Sequence, residues 1–254
     1  MYTKEQLKEH LALMGADPEG TLLIHSSMKS IGPVEGRADT VLDAFSEYMK
    51  DGLLLFTSHT WDRVSAAKGY DTFYPATEPT CNGILPQLFW QRPGVIRSLH
   101  PTHAMAGLGK NAAEYLAGEE NTHSPCSRNG CWGRLYDVKA QILLLGVGLN
   151  RNTFIHSVEE EMDIPNRLRE NMETLYTVTA DGTRYEITQH RHFWPVAENY
   201  VKMENVLLER GAMKRVKFGD ADCFLCDAVK VSDVIREYLR KKPDLFDTPD
   251  ALPE

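Results

Sequence analysis

The sequence predicts an α/β fold, with one mixed central β-sheet flanked by helices, and three observations predict it. Three continuous apolar runs, GTLLIHSSM (20–28), GLLLFTS (52–58) and AQILLLGVG (140–148), read as strands buried on both faces. Between the first two lies RADTVLDAFSEYMK (37–50), with Val41, Leu42, Phe45 and Met49 at helical spacing. TLYTVTADGTRYEITQHRHFW (174–194) alternates around an Asp-Gly turn, the pattern of an antiparallel hairpin.

The elements follow in order. MYTKEQLKEHLALMG is an amphipathic helix with Leu7, Leu11 and Met14 on one face. A polar loop with glycines at 32 and 36 follows the first strand, and Asp39 or Thr40 is available to cap the next helix. Strand, glycine-bearing loop, helix and strand in that order make a βαβ unit, so the first two strands are expected to be parallel. GILPQLFWQRP (83–93) reads as a short helix, and GVIRSLHPTHAMAGLG (94–109) as a strand interrupted by Pro101. KNAAEYLAG (110–118) is helical, with Gly118 suited to end it. The strand at 140–148 leads directly into a helix carrying His156, for which Asn152 or Thr153 is a candidate cap. AENYVKMENVLLERG (197–211) is helical, and the remainder gives strands and a last helix ending before Pro243. With no repeat, low-complexity segment or Gly/Ser linker in 254 residues, one domain over 1–254 is expected.

Bulk properties exclude some functions. No apolar run approaches the roughly 18–20 residues that span a bilayer. The N-terminal helix lacks the apolar core and cleavage site of a signal peptide, so a cytoplasmic protein without a membrane partner is expected. A net charge of −8 argues against nucleic acid as a partner, since phosphate binding needs clustered Lys and Arg. Five irregularly spread cysteines do not form a secreted disulfide framework, and the lone C-x-x-C at Cys223 and Cys226 reads as two buried thiols.

Four clusters could carry chemistry. His156 and Glu159 share a helix face at i and i+3, so the carboxylate can orient the imidazole and make it a better base. A solvated helix face with an incidental pair has the same spacing. His100 and His103 bracket Pro101, and with His156 and Glu159 they form an alternative metal-binding set, though no H-E-x-x-H occurs. IHSSMKSIG (24–32) offers serines, a lysine and backbone amides to a phosphate-bearing ligand. Thr60, Trp61 and Asp62 end the second strand, where Asp62 can hold an amine and Trp61 can wall a sugar or a pantetheine arm.

In that order and spacing, LIHSSMKSIGPVEGRADTVLDAF, GLLLFTSHTW, GVIRSLHPTHAMAGLG and GRLYDVKAQILLLGVGLNRNTFIHSVEE resemble the aminoglycoside N3-acetyltransferase family. The likeness is close over roughly residues 1–165 and general beyond. It implies that family's own fold and direct acyl transfer from acetyl-CoA to an amine, with no metal. The common N-acetyltransferase fold instead carries Q/R-x-x-G-x-G/A at its pyrophosphate loop, and QRPGVI (91–96) fails that pattern at its last position. By position, His156 stands where the family has its essential histidine, followed by Glu159. Ser26, Ser27, Met28, Lys29 and Ser30, with Arg97, Ser98 and His100, fall where the family holds CoA. The resemblance also implies a homodimer. Two departures lie near the expected pocket: Ala104 replaces a usual serine, and Gly130-Cys131-Trp132 replaces a turn that usually carries Ser-Pro.

An acceptor amine is mostly protonated at neutral pH, so transfer needs carboxylates to bind it and a base to deprotonate it. The expected assignment gives binding to Asp62, Glu159 and Glu160 and the base role to His156, with an aminoglycoside or a related amine as acceptor. Three alternatives stand beside it. One is a metal-dependent hydrolase built on His100, His103, His156 and Glu159. Another is a non-catalytic CoA-binding protein. The third is an acyl-enzyme route through Cys131 or a serine at 26–27.

Overall fold

A computed structural model describes residues 1–193, 196–250 and 252. Its elements are α1 (Lys4–Leu13), β1 (Thr21–Ser26), α2 (Arg37–Tyr48), β2 (Leu53–Thr57), β3 (Thr72–Phe73), α3 (Ile84–Phe89), β4 (Ile96–Arg97), β5 (Met105–Gly109), α4 (Ala112–Leu116) and α5 (Cys131–Asp137). They continue with β6 (Gln141–Leu145), α6 (Phe154–Glu161), β7 (Glu173–Val178), β8 (Arg184–Gln189), α7 (Glu204–Glu209), β9 (Met213–Phe218), β10 (Ala221–Asp227) and α8 (Ala228–Lys241). Seven strands form one mixed sheet in the order β4-β5-β2-β1-β6-β10-β9, and β3-β7-β8 form a second.

The apolar runs occupy the middle of the large sheet because both faces are covered. β1 is parallel to β2 and to β6, pairing Leu23 with Leu55 and with Ile142. Side chains alternate between faces along each strand. Leu22, Ile24, Leu54, Phe56, Leu143 and Leu145 therefore join a core with Leu7 and Leu11 of α1 and Val41, Leu42 and Phe45 of α2. Leu23, Leu53, Leu55, Ile142 and Leu144 point to the other face, into a core with Trp132, Phe154, Ile155, Val231 and Ile235. Cys223 and Cys226 of β10 divide between the two cores as free thiols. No helix among the described residues is long and apolar enough to cross a membrane.

Some sequence expectations shift. α2 starts at Arg37 after Gly36, which is left-handed at φ 66°, so neither Asp39 nor Thr40 caps it and Asp39 lies inside the first turn. A Cβ at position 36 would meet Thr40 Oγ1 at 2.4 Å. The run at 94–109 becomes two short antiparallel strands, β4 and β5, around a buried turn. Half of the expected helix at 197–211 is a 3-10 turn, Val196–Met203, before α7. The hairpin forms as β7 and β8, but β3 pairs with it in a separate small sheet; its last expected residue, Trp194, lies outside the described residues.

Candidate active site

The carboxyl ends of β1, β2 and β6 open on a cavity of about 680 Å³. Crevices at the carboxyl ends of parallel strands are where ligands bind in open α/β sheets. Its floor comes from these strands: His25 and Ser26 from β1, Thr57 and His59 at the end of β2, and Val147 and Asn150–Thr153 after β6. The small sheet and the 3-10 turn at 196–203 wall the other side, through Glu173, Arg191, His192, Val196 and Tyr200. Gly146 lets the Ser26–Ser30 segment close on β6. It is left-handed at φ 63°, and a Cβ there would lie 2.4 Å from Ser30 Cβ.

His156 meets the cavity from the first turn of α6, and its ring is fixed on one side. Nδ1 lies 3.2 Å from Glu159 Oε2 and 2.6 Å from the Tyr200 hydroxyl. Tyr200 donates its own proton to Glu159 Oε2, so its oxygen is free to accept from Nδ1–H. That network selects the tautomer whose Nε2 carries the lone pair. Nε2 makes no hydrogen bond among the described residues. Arg167 Nε donates to the other oxygen of Glu159, and Arg167 Nη1 donates to Asp247 at 2.6 Å. Burial alone would raise the Glu159 carboxyl, but bonds and charge from His156, Arg167 and Tyr200 outweigh it and hold Glu159 below the usual carboxylate range. Its environment also pushes the Tyr200 phenol well above its ordinary value, by burial first and by Glu159 second.

A second imidazole stacks on the first. The His192 ring lies 4.1 Å from that of His156, centroid to centroid, at 29°. Its Nε2 lies 2.7 Å from Glu160 Oε1. His103 and His59 continue the row at 5.2 and 4.8 Å. Burial holds His59, His103 and His192 well below the ordinary imidazole value and brings His25 down to about 3. The cavity wall is thus a run of neutral imidazoles. His25 Nε2, Ser26 Oγ, His59 Nε2 and both amide atoms of Asn152 are buried with no partner among the described residues. Buried polar atoms left unpaired are costly, so such a set marks where a ligand belongs.

The expected site residues divide. His156, Ser26 and Trp61 line the cavity. Ser30 Oγ bonds Ser27 Oγ at 2.9 Å and Gly146 O at 3.3 Å, holding the Ser27–Ser30 turn with Met28 and Lys29 beside the lining. Arg97, Ser98 and His100 do not face it. Arg97 lies between the Phe73 and Trp90 rings and donates to the carbonyls of Glu78 and Ser58, so burial lowers it to about 9. Ser98 Oγ accepts from the Met105 amide. His100 Nδ1 accepts from the amides of Thr102 and His103, and its Nε2 bonds Ser124 O. With both ring nitrogens used, His100 cannot complete the alternative metal set either. Amine binding by Glu160 is corrected in the same way: it accepts from Ser124 Oγ and the Cys126 amide and stands behind His192. Asp62 lies outside the lining, 3.8 Å from Arg63, and Cys131 is buried in the core beneath the sheet. Cys131 is absent from the cavity lining that His156 joins.

Sequence reasoning missed Tyr200, Arg167, His192, His59 and Asn152. An available signal was HRH at 190–192, a second histidine cluster near the end of the expected hairpin.

Comparison with known proteins agrees with this architecture. The family model described as aminoglycoside 3-N-acetyltransferase matches residues 23–240. Aminoglycoside N(3)-acetyltransferase III of a Salmonella species is 27% identical over 95% of this chain and 92% of its own length. The enzyme of the same name from Acinetobacter baumannii is likewise 27% identical at the same coverage. Among solved structures, a histidine-to-alanine variant of aminoglycoside acetyltransferase AAC(3)-IVa in complex with a gentamicin is 25% identical, with a TM-score of 0.83 over 96% of this chain and 91% of that one. AAC-IIIb, solved as a binary complex with CoASH, shares the fold at 19% identity and a TM-score of 0.81, over 95% of this chain and 97% of that one. With the match spanning most of its length, this chain belongs to the aminoglycoside 3-N-acetyltransferase family and is an N-acetyltransferase.

Proposed function

We propose that the chain, as one domain, transfers the acetyl group of acetyl-CoA directly to an amine, with His156 as general base held by Glu159. The observation that carries this reading is the His156 ring, bonded at Nδ1 and open at Nε2 on the cavity. Nε2 takes a proton from the acceptor amine as its nitrogen attacks the thioester carbon. The N–C bond forms, the C–S bond breaks, and the proton passes to the departing CoA thiolate, leaving an acetamide and free CoA. The ionised Glu159 stabilises the imidazolium that exists between those two transfers.

Acetyl-CoA fits the unpaired groups of the floor. Ser26 Oγ and Arg151 suit its polar parts, and the Asn152 amide is available to the carbonyl oxygen. Arg97, Ser98 and His100 act at one remove, as the buried frame of the turn between β4 and β5. The aminoglycosides named for the relatives are the first acceptor class to test. In a thiol-release assay His156→Ala should lower turnover by about 10²–10⁴-fold while acetyl-CoA still binds. Turnover near that of the wild type on a proven acceptor would refute the base assignment.

A further inference from the structure

Behind the row of imidazoles, three metal-binding side chains converge that the acetyl-transfer reading does not use as a set. The Cys126 thiol, the Glu160 carboxylate and the His192 ring each bring a donor atom to within 4.8 Å of the other two. No other trio of histidine, cysteine or acidic side chains among the described residues does so. The three come from distant segments: the loop before α5, the last turn of α6 and the chain after β8. They are sheltered, with Cys126 fully buried, the Glu160 side chain 4% exposed and that of His192 15%.

The donors are already held in place. Glu160 accepts from the Ser124 hydroxyl and the Cys126 amide, and its Oε1 lies 2.7 Å from His192 Nε2. The thiol has only one polar contact among the described residues, a long one of 3.9 Å to Thr153 O. Thiolate, imidazole and carboxylate make a donor set for zinc, whereas magnesium and calcium take oxygen ligands. Three protein ligands leave a fourth tetrahedral position to water.

The position gives such an ion a consequence. His192 lines the cavity, so the trio is reached from there. Its ring stacks on that of His156 at 4.1 Å. A dication on His192 Nε2 lies one ring away from the base, and like charge disfavours the imidazolium that acetyl transfer requires.

We propose that Cys126, Glu160 and His192 form a zinc site that switches the enzyme off. Zinc acts there as an inhibitor and takes no part in the reaction. The site stands on geometry alone, while its effect on turnover rests on the acetyl-transfer reading.

The test uses the full chain with cobalt(II) or zinc alone as the probe. Cobalt should give thiolate-to-metal charge-transfer absorption in the near ultraviolet, and zinc should abolish it by displacement. Cys126→Ala should remove that absorption. In equilibrium dialysis Cys126→Ala and Glu160→Gln should each weaken zinc binding by at least about tenfold. In chelator-treated protein, Cys126→Ala should release thiol from acetyl-CoA at the wild-type rate. Added zinc should lower wild-type turnover by at least about tenfold, reversibly on chelation. The same concentration should leave Cys126→Ala unaffected, which excludes capture of the CoA thiol. Absence of binding to the wild type would overturn the proposal. Absorption that persists in Cys126→Ala would also overturn it, assigning the metal to another thiol such as Cys81 in the lining. Binding at the trio with undiminished turnover would overturn the switch. Absence of thiol release by the metal-free chain with every amine would refute the acetyl-transfer reading and leave the metal site to the spectrum and dialysis.

Discussion

Glu159 and Glu160 are neighbours on α6, and each holds a histidine, yet the two pairs are built differently. Behind Glu159 stands Arg167, almost fully buried, with the Tyr200 hydroxyl beside it. Among the described residues Glu160 meets only neutral donors, the Ser124 hydroxyl and the Cys126 amide, besides His192. The carboxyls respond in opposite directions. Glu159 is held below its ordinary value, whereas burial pushes Glu160 up to about 7 despite its hydrogen bonds. Bonds and charge from His156 first, and charge from Arg167 after it, keep Glu159 ionised despite burial, and only an ionised carboxylate stabilises an imidazolium. On the proposed reading the first pair is a base with its counter-ion, and the second is a support that positions His192 against it.

The largest expected effect follows from removing that cation. Arg167→Met leaves Glu159 buried without its counter-ion, and breaking such a pair costs about 3–5 kcal/mol of stability. Turnover should fall by at least about tenfold, as the imidazolium loses an ionised partner. Arg167→Lys, which keeps the charge, should recover part of both. Thermal melts and thiol release measure the two effects, and an Arg167→Met enzyme with unchanged turnover would erase the difference between the pairs.

A smaller effect sharpens the second pair. Because Glu160 is raised from 4.5 to about 7, the folded chain keeps a proton that the unfolded chain loses between those values. Its contribution to stability is full below about pH 4.5 and is lost as pH rises through about 7. Glutamine mimics the protonated form at every pH. The melting temperature of Glu160→Gln relative to wild type should therefore rise by a few degrees between pH 5 and pH 7.5 or so. A flat difference across that range would mean that Glu160 is ionised like Glu159.

The first pair was legible in the sequence because its members are one helical turn apart, and the strand before them puts them at a sheet edge. Its supports were not. Tyr200 lies 44 residues from His156, on a 3-10 turn whose spacing reads as an ordinary helix. Arg167 follows α6 in an irregular segment, where a charged residue is expected to meet water. Both arrive through tertiary folding of the segments around the small sheet, whose third strand, β3, is only two residues long and gives no periodic signal. The buried turn at 98–104 teaches the converse. Arg97, Ser98 and His100 have the residue types of a binding loop, but packing against Phe73, Ser124 and the small sheet turns their polar atoms inward. Apolar strands announce themselves through pattern, while the direction of a loop's side chains depends on what covers them.

The most direct test of the central claim sets the two histidines against each other in one assay. His156→Ala and His192→Ala would be compared for thiol release from acetyl-CoA on the best acceptor, with donor affinity measured alongside. The account predicts a loss of at least about 100-fold for His156→Ala and less than about tenfold for His192→Ala, with both variants still binding acetyl-CoA. Equal losses, or the larger loss at His192, would contradict it.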